Sequence, residues 1–434
     1  MNPIQTNATP QPSIVPLLAV NFVGTLGFSI VTPFLVILVT QWGGNAVVYG
    51  ILAATYSFFQ LFGAPVLGRM SDQVGRRRVL LLSQLGTLLS WGVFLIAFAL
   101  PTTTILNVES RWLGDFALTI PLLVLFVARA ADGLTGGNVS VSNAYLADIT
   151  TEEDRSKNFG KMAVSSNLGF VMGPALAGLL GATLLGEIVP VLAAFIISLI
   201  ALALIQFGLT EVAPSPISET LEQSSGCDLY GQEQKSAYAV QCEQANGTGA
   251  ILRLPNMTAL LTVNYLIMLG FSFFYVAFPV HAVEGLGWSV TEIGTYFAGL
   301  SLVMIIVQGP VLSRAAARYG ERQLMSVGGL ALAVGFASLY SGSTWLIYCS
   351  ALLIALGNGL MWPTFMSVLS KAAGSQMQGA VQGLAQSAGA VASIVGLVAG
   401  GMLYVVLGAA LFPIAAITIA ISAILVATYR SSSD

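Results

Sequence analysis

Twelve stretches of roughly 20 apolar residues, joined by polar segments, decide what this chain can fold into. They run over approximately 14–39, 47–69, 79–100, 119–147, 160–185, 189–209, 257–282, 291–313, 323–341, 344–370, 378–406 and 409–428. A hydrocarbon layer about 30 Å thick needs about 20 helical residues to cross it, so each stretch fits one transmembrane helix. Charged residues make up 8% of the chain, against about 25% in soluble domains. The fold class is therefore an all-α membrane protein of twelve transmembrane helices, six on each side of a polar centre.

Charge placement gives an orientation. With the N-terminus inside, the cytoplasmic turns hold Arg69, Arg76, Arg77, Arg78, Arg155, Lys157, Lys161, Lys235, Arg253, Arg314, Arg318, Arg322, Lys371 and Arg430. Arg111 alone faces outside, and Arg129 lies within an apolar stretch. This asymmetry predicts cytoplasmic termini and a multi-pass protein of the cell membrane. The polar tail 1–12 lacks the basic start of a signal peptide, so the first helix is expected to stay as an anchor. No basic patch suits nucleic acid.

The chain divides into a tail (1–12), a six-helix half (13–210), a cytoplasmic linker (211–253), a second half (254–429) and a short tail (430–434). The linker is rich in Ser, Gln, Glu and Gly. Its Cys227 and Cys242 fall in the reducing cytosol in this topology, and Cys349 reads as packing. The sequons at Asn246 and Asn256 fall on the same side and read as fortuitous. The halves echo each other at a constant offset of 245: Pro65/Pro310, Leu67/Leu312, Arg69/Arg314, Gly75/Gly320 and Arg77/Arg322 are identical pairs. A weaker echo sets Asp132-Gly133-Leu134 against Asn358-Gly359-Leu360. Parallel six-helix repeats predict two pseudo-symmetric bundles with a substrate site between them near the midplane.

The loop between helices 2 and 3 reads Gly68-Arg69-Met70-Ser71-Asp72-Gln73-Val74-Gly75-Arg76-Arg77-Arg78. Positive charge alone suits any cytoplasmic loop, but the spaced Gly, Asp and Gly ask for a tight, functional turn. This pattern resembles the signature of the major facilitator superfamily. Arg129-Ala-Ala-Asp-Gly133-Leu-Thr-Gly-Gly137 in helix 4 and Gly169-Phe-Val-Met-Gly173-Pro174-Ala-Leu-Ala-Gly178 in helix 5 narrow the likeness to its drug/proton antiporters, nearest the tetracycline efflux proteins. Trp362-Pro363 and the run from Gln378 through Gln382 to Gln386 extend it. The resemblance implies a cytoplasmic gate in which Asp72 faces the start of helix 11 while Arg76 and Arg77 meet Asp148. The second half keeps Gly320 and Arg322 but has Ala317 in place of the acid, implying a weaker gate. The helix 5 glycines read either as a hinge and seal or as plain close packing.

Arg129 and Asp132 are the informative pair. At i and i+3 they share a helix face that Gly136, Ser140 and Asn143 extend. Burying a guanidinium at bilayer depth costs roughly 3 kcal/mol on insertion scales and demands a partner or a purpose. The pair is either a static bridge or a proton switch in which Arg129 tunes Asp132. The resemblance departs at helix 1: an acid of the tetracycline group is replaced by Gly24, and helix 1 offers only neutral groups, Asn21, Thr25, Ser29 and Thr32. The coupling carboxylate is thus expected at Asp132. His281, beside Glu284, is a second proton candidate because imidazole titrates near neutrality. Neutral candidates for the cavity are Asn21, Thr25, Gln60, Asn143, Asn264, Tyr265, Gln308, Asn358, Trp362, Gln382 and Gln386, with Phe271, Phe274, Tyr275 and Phe365 as walls.

No GxxxxGK[ST] motif, clustered metal ligands or nucleophile–base pair occurs. The reading is a monomeric transporter, not an enzyme and without cofactor. It moves a small lipophilic or amphiphilic molecule outward in exchange for protons while surrounded by membrane lipid. A uniporter or proton symporter of the same fold is the nearest alternative; a receptor or scaffold docking through the linker is the distant one.

Overall fold

A computed structural model of the chain describes residues 13–136, 138–150, 152–183, 185–211 and 251–428. Most of the linker, with Cys227, Cys242 and Asn246, and both tails lie outside these described residues. The first half contains α1 (Val15–Ser29), α2 (Thr32–Gln41), α3 (Ala46–Val74), α4 (Arg76–Ala99), α5 (Ile120–Thr135), α6 (Asn138–Ile149), α7 (Glu152–Gly181) and α8 (Ile188–Gly208). The second contains α9 (Met257–Glu284), α10 (Val290–Ile306), α11 (Leu312–Ala316), α12 (Glu321–Ser338), α13 (Thr344–Leu407) and α14 (Leu411–Thr428). A π turn, Val307–Val311, joins α10 to α11.

Among the described residues, ten helical stretches are long and apolar enough to cross a membrane. One of them, Gly383–Val426, has 44 residues and holds two crossings. They are separated at Gly408, whose φ of 55° and ψ of −135° suit glycine alone. The fourth expected span is present as α5 and α6, interrupted after Thr135. Straight, the 64 residues of α13 would reach about 96 Å. Its start stacks Tyr348 on Trp288 at 5.5 Å, and its end sets Tyr404 against His281 at 3.1 Å. Trp288 and His281 flank the same α9–α10 turn, so α13 doubles back and supplies the tenth and eleventh crossings. Helix starts follow local chemistry. Asn45 accepts from the Val47 and Val48 amides to cap α3, and Ser289 with Glu292 forms a capping box on α10.

One element has no counterpart in the sequence reading. Thr104–Val108 and Phe116–Thr119 form an antiparallel β1–β2 hairpin between α4 and α5. It clasps the α2–α3 turn: the Ala117 amide donates to the Gly43 carbonyl at 2.8 Å, and Asn45 Nδ2 donates to the Leu113 carbonyl at 2.8 Å.

The two halves meet by glycine contacts toward the hairpin end. A Cβ on Gly294 would lie 2.6 Å from the Gly178 Cα and 2.7 Å from the Pro174 carbonyl oxygen. On Gly401 it would lie 2.6 Å from the Ala46 carbonyl oxygen. Small residues let helix backbones approach this closely in lipid, where dispersion rather than hydrophobicity drives association. Gly294→Val should therefore part α7 from α10. We expect a membrane-impermeant thiol reagent applied from the hairpin end to label Ser57→Cys several-fold faster in that background; unchanged labelling would mean that this crossing does not seal the molecule.

Candidate functional site

A cavity of about 480 Å³ lies between the halves. Phe28, Tyr56, Arg129 and Phe170 line it from the first half, and Tyr275 and Phe297 from the second. Phe28 packs on Tyr56 at 5.2 Å, and Tyr275 stacks with Phe297 at 6.5 Å. A wall of this kind suits an amphiphile: ring faces for its body and a few polar groups for its orientation.

Arg129 is the charged member of the described wall. Only 6% exposed, it holds its guanidinium 4.8 Å over the Tyr56 ring, within cation–π range. Its Nη1 stands 3.7 Å from Asp132 Oδ2, beyond hydrogen-bond reach, and its Nε has no hydrogen-bond partner among the described residues. Asp132 is absent from the wall. Three residues on, it is rotated about 60° round the helix, behind Arg129, with Thr87 of α4 as a polar neighbour. The shared face expected for the pair is thus split between cavity and packing. Glycines hold α5 in this position: a Cβ on Gly133 would strike the Tyr56 carbonyl, and one on Gly86 would strike Thr135.

Gln60 is not on the wall either. Its Nε2 donates to Tyr56 Oη and to the Gly136 carbonyl, both at 3.0 Å, and so serves the carbonyl left free where α5 ends.

Most of the neutral candidates pack helices instead of lining the cavity. Asn21 Nδ2 donates to the Met162 carbonyl at 3.1 Å and to Ser166 Oγ at 2.7 Å, and Thr25 donates to the Asn21 carbonyl. Asn264 Nδ2 donates to the Ala385 carbonyl at 2.7 Å, and Asn358 Nδ2 lies 3.2 Å from Met304 Sδ. Trp362 packs on Phe365, while Phe271 and Phe274 pack on Phe336 within the second half. Asn143, Tyr265 and Gln386 are off the wall, and the Gln382 side chain is outside the described set. The physical reason is common to all. Inside lipid, a polar side chain is satisfied by the nearest helix, and sequence spacing does not say which helix that is. Gln308 does line the cavity, where its Oε1 accepts from Asn167 Nδ2 across the halves at 3.4 Å. The π turn at Val307–Val311 presents it. His281 sits away from the cavity between Tyr404 and Phe412, with Nδ1 3.1 Å from Tyr404 Oη.

The helix 5 glycines serve two partners. Gly169 and Gly173 face α1, where added Cβ atoms would meet Leu26 N at 2.9 Å and Ile30 N at 2.8 Å. Gly178, nine residues beyond Gly169, points the opposite way to α10, and Pro174 borders the cavity beside it.

At the arginine-rich end, Arg76 Nε meets Asp148 Oδ2 at 2.9 Å and Nη1 donates to Ser71 Oγ at 2.6 Å. Arg77 does not join them, because neighbouring helical residues diverge by about 100°. It donates instead to the Ile205 carbonyl at 3.3 Å and to that of Gln206, at the end of α8. Both pairings lie within the first half. Glu211, read from sequence as linker, accepts from the Arg77 amide at 3.1 Å and so caps α4. The turn needs Gly75, whose φ is 111°. Gly68 and Gly320 have open space around them, and the Asp72 side chain is outside the described set. In the second half Arg322 has no ion pair among the described residues. Glu321 beside it accepts from Lys371 Nζ at 2.8 Å and from Ser367 at 2.7 Å. Glu321 is the repeat equivalent of Arg76, so the same corner carries an ion pair with its charges exchanged.

A family model described as Major Facilitator Superfamily matches residues 17–267 and 260–434, once for each half. The class C tetracycline resistance protein of Escherichia coli is 30% identical over 353 residues, covering 80% of this chain and 78% of that protein. The class B protein of Escherichia coli is 26% identical over 383 residues, covering 87% and 85%. Among solved structures, a D-xylose–proton symporter superposes with a TM-score of 0.72 at 15% identity, covering 97% of this chain and 98% of that one.

Proposed function

The chain belongs to the Major Facilitator Superfamily of membrane transporters, and we propose that it is a proton-coupled antiporter exporting a small lipophilic or amphiphilic compound by alternating access. The observation that carries this reading is the buried Arg129–Asp132 pair at the edge of a largely apolar cavity between the two halves. Relatives named for tetracycline resistance support a drug-like cargo. Asp132 carries the proton; Arg129 holds the adjacent wall and repels protons from a direct path. Cargo enters from the arginine-rich side, and protonation of Asp132 from the hairpin side favours the return of the empty carrier.

Proteoliposomes with an imposed pH gradient test this. A panel of lipophilic dyes should include at least one that moves against its own gradient, with protons moving oppositely. Gradient-independent movement of every dye, or none at all, would defeat the reading. A second reading, proton symport, has one specific observation in its favour: Arg129 rather than Asp132 lines the cavity. Neutralising Asp132 then frees the guanidinium, so that proton and an electron-rich cargo favour each other. The direction of proton flow separates the two.

A further inference from the structure

We infer that Arg129 anchors an anionic group of the cargo, so that the compounds carried are organic anions with an aromatic or branched apolar body. This rests on the reading of the central cavity as the transport site, but not on the direction of proton flow.

Three observations carry it. Arg129 is the charged side chain of the described wall, and no carboxylate lines that wall. Its donors make no hydrogen bond among the described residues: Nε has no partner there, and the nearest Asp132 oxygen stands 3.7 Å from Nη1. A buried guanidinium that borders a cavity and has no hydrogen-bonded partner for its Nε matches a carboxylate, sulfonate or phosphate better than any neutral group. Thirdly, the ring faces lie beside it rather than around it. Phe28 and Phe170 meet edge-on at 6.3 Å on one side of the cavity, and Tyr275 and Phe297 stack on the other. A quaternary ammonium would need such rings around its own charge, where this cavity places a like charge instead.

The neighbouring ionisable groups fix the linkage. Tyr49 and Tyr56 of α3 and Asp132 of α5 face Arg129. The two phenols are neutral, so Asp132 is the competitor for the guanidinium. By reciprocity, removing its charge must strengthen the hold on an anion as much as the anion strengthens the hold on a proton.

The test uses three naphthalenes of one shape: naphthalene-2-sulfonate, naphthalene-2-sulfonamide and 2-naphthylmethyl-trimethylammonium. Equilibrium binding to the purified full chain should favour the sulfonate on the order of tenfold or more over the other two. Arg129→Gln should bring the sulfonate down to the sulfonamide's level, and Arg129→Lys should recover part of the difference. Asp132→Asn should tighten the sulfonate and leave the sulfonamide alone. That gain of binding cannot come from a misfolded protein, and the wild-type ranking needs no variant. Equal binding of all three compounds, preference for the ammonium compound, or weaker sulfonate binding in Asp132→Asn overturns the inference. Should the ammonium compound or the amide be preferred and also moved in a pH gradient, this inference fails while the transport reading stands. Sulfonate that binds as expected but never moves leaves Arg129 an anion site and overturns its assignment to the cargo.

Discussion

Asp132→Asn should abolish proton-driven export while leaving exchange of cargo down its own gradient. In proteoliposomes with an imposed pH gradient, uphill movement is expected to fall to the level of empty vesicles, with counterflow retained. The carboxamide keeps the size of the carboxylate and a polar oxygen beside Thr87, but it does not titrate at working pH. The guanidinium keeps its seat over the Tyr56 ring at 4.8 Å. Loss of counterflow as well would point to a damaged fold, and undiminished uphill export would remove Asp132 from the coupling step.

The arrangement of the pair also limits how exchange can work. With Arg129 in front and Asp132 behind, protonation makes the guanidinium more available to an acceptor on the cargo. Local electrostatics therefore favour joint binding, which is the logic of cotransport. Exchange requires the proton to act on the orientation of the two halves and not on the site alone. A route for that exists in the contacts themselves. Arg129 stacks on Tyr56, Tyr56 accepts from Gln60, and Gln60 donates to the Gly136 carbonyl at the break between α5 and α6. The far end of α6 carries Asp148. This break is a path by which a change at the cavity would reach α6, and coupling along it requires the break to have two arrangements.

The sequence was most legible where one physical constraint acts alone. Span length follows from bilayer thickness, so the helices stand where the apolar runs lie, and the 245-residue offset locates the repeated α3–α4 and α11–α12 corners. Side-chain direction was less legible because it depends on which neighbour a helix meets. Asn21 and Thr25 share a polar face, yet that face meets the Gly169 stripe of α7 and not the cavity. Glu211 closes a cap on α4 from 134 residues away, and no local pattern announces it. The Glu321–Lys371 pair was hidden for another reason: comparing identical residues between halves finds Arg77/Arg322 but passes over a pair whose charges have been exchanged. The β1–β2 hairpin escaped because four- and five-residue strands beside long helices leave too short an alternation to read.

Arg76→Ala should be the most damaging single change at the arginine-rich end. Arg76 is 1% exposed, its partner Asp148 is nearly as deep at the side chain, and their contact is 2.9 Å. Removing one member of a buried pair strands the other charge and costs about 3–5 kcal/mol, whereas the pair as a whole is worth far less than that. The melting transition of the detergent-solubilised protein should fall by on the order of 10 °C. Asp148→Asn should cost less, since the amide oxygen still accepts from Nε. The double variant Arg76→Ala/Asp148→Ala should sit well above the sum of the single losses, because it leaves no unpaired charge. Lys371→Ala in the equivalent corner should shift the transition little: that lysine is 69% exposed, and solvent screens the pair. Strict additivity of the Arg76 and Asp148 losses would mean that the two do not depend on each other, and the corner would then be held by Ser71 and the backbone. A coupled loss with transport still intact would make the pair a brace within the first half and leave gating to contacts between the halves.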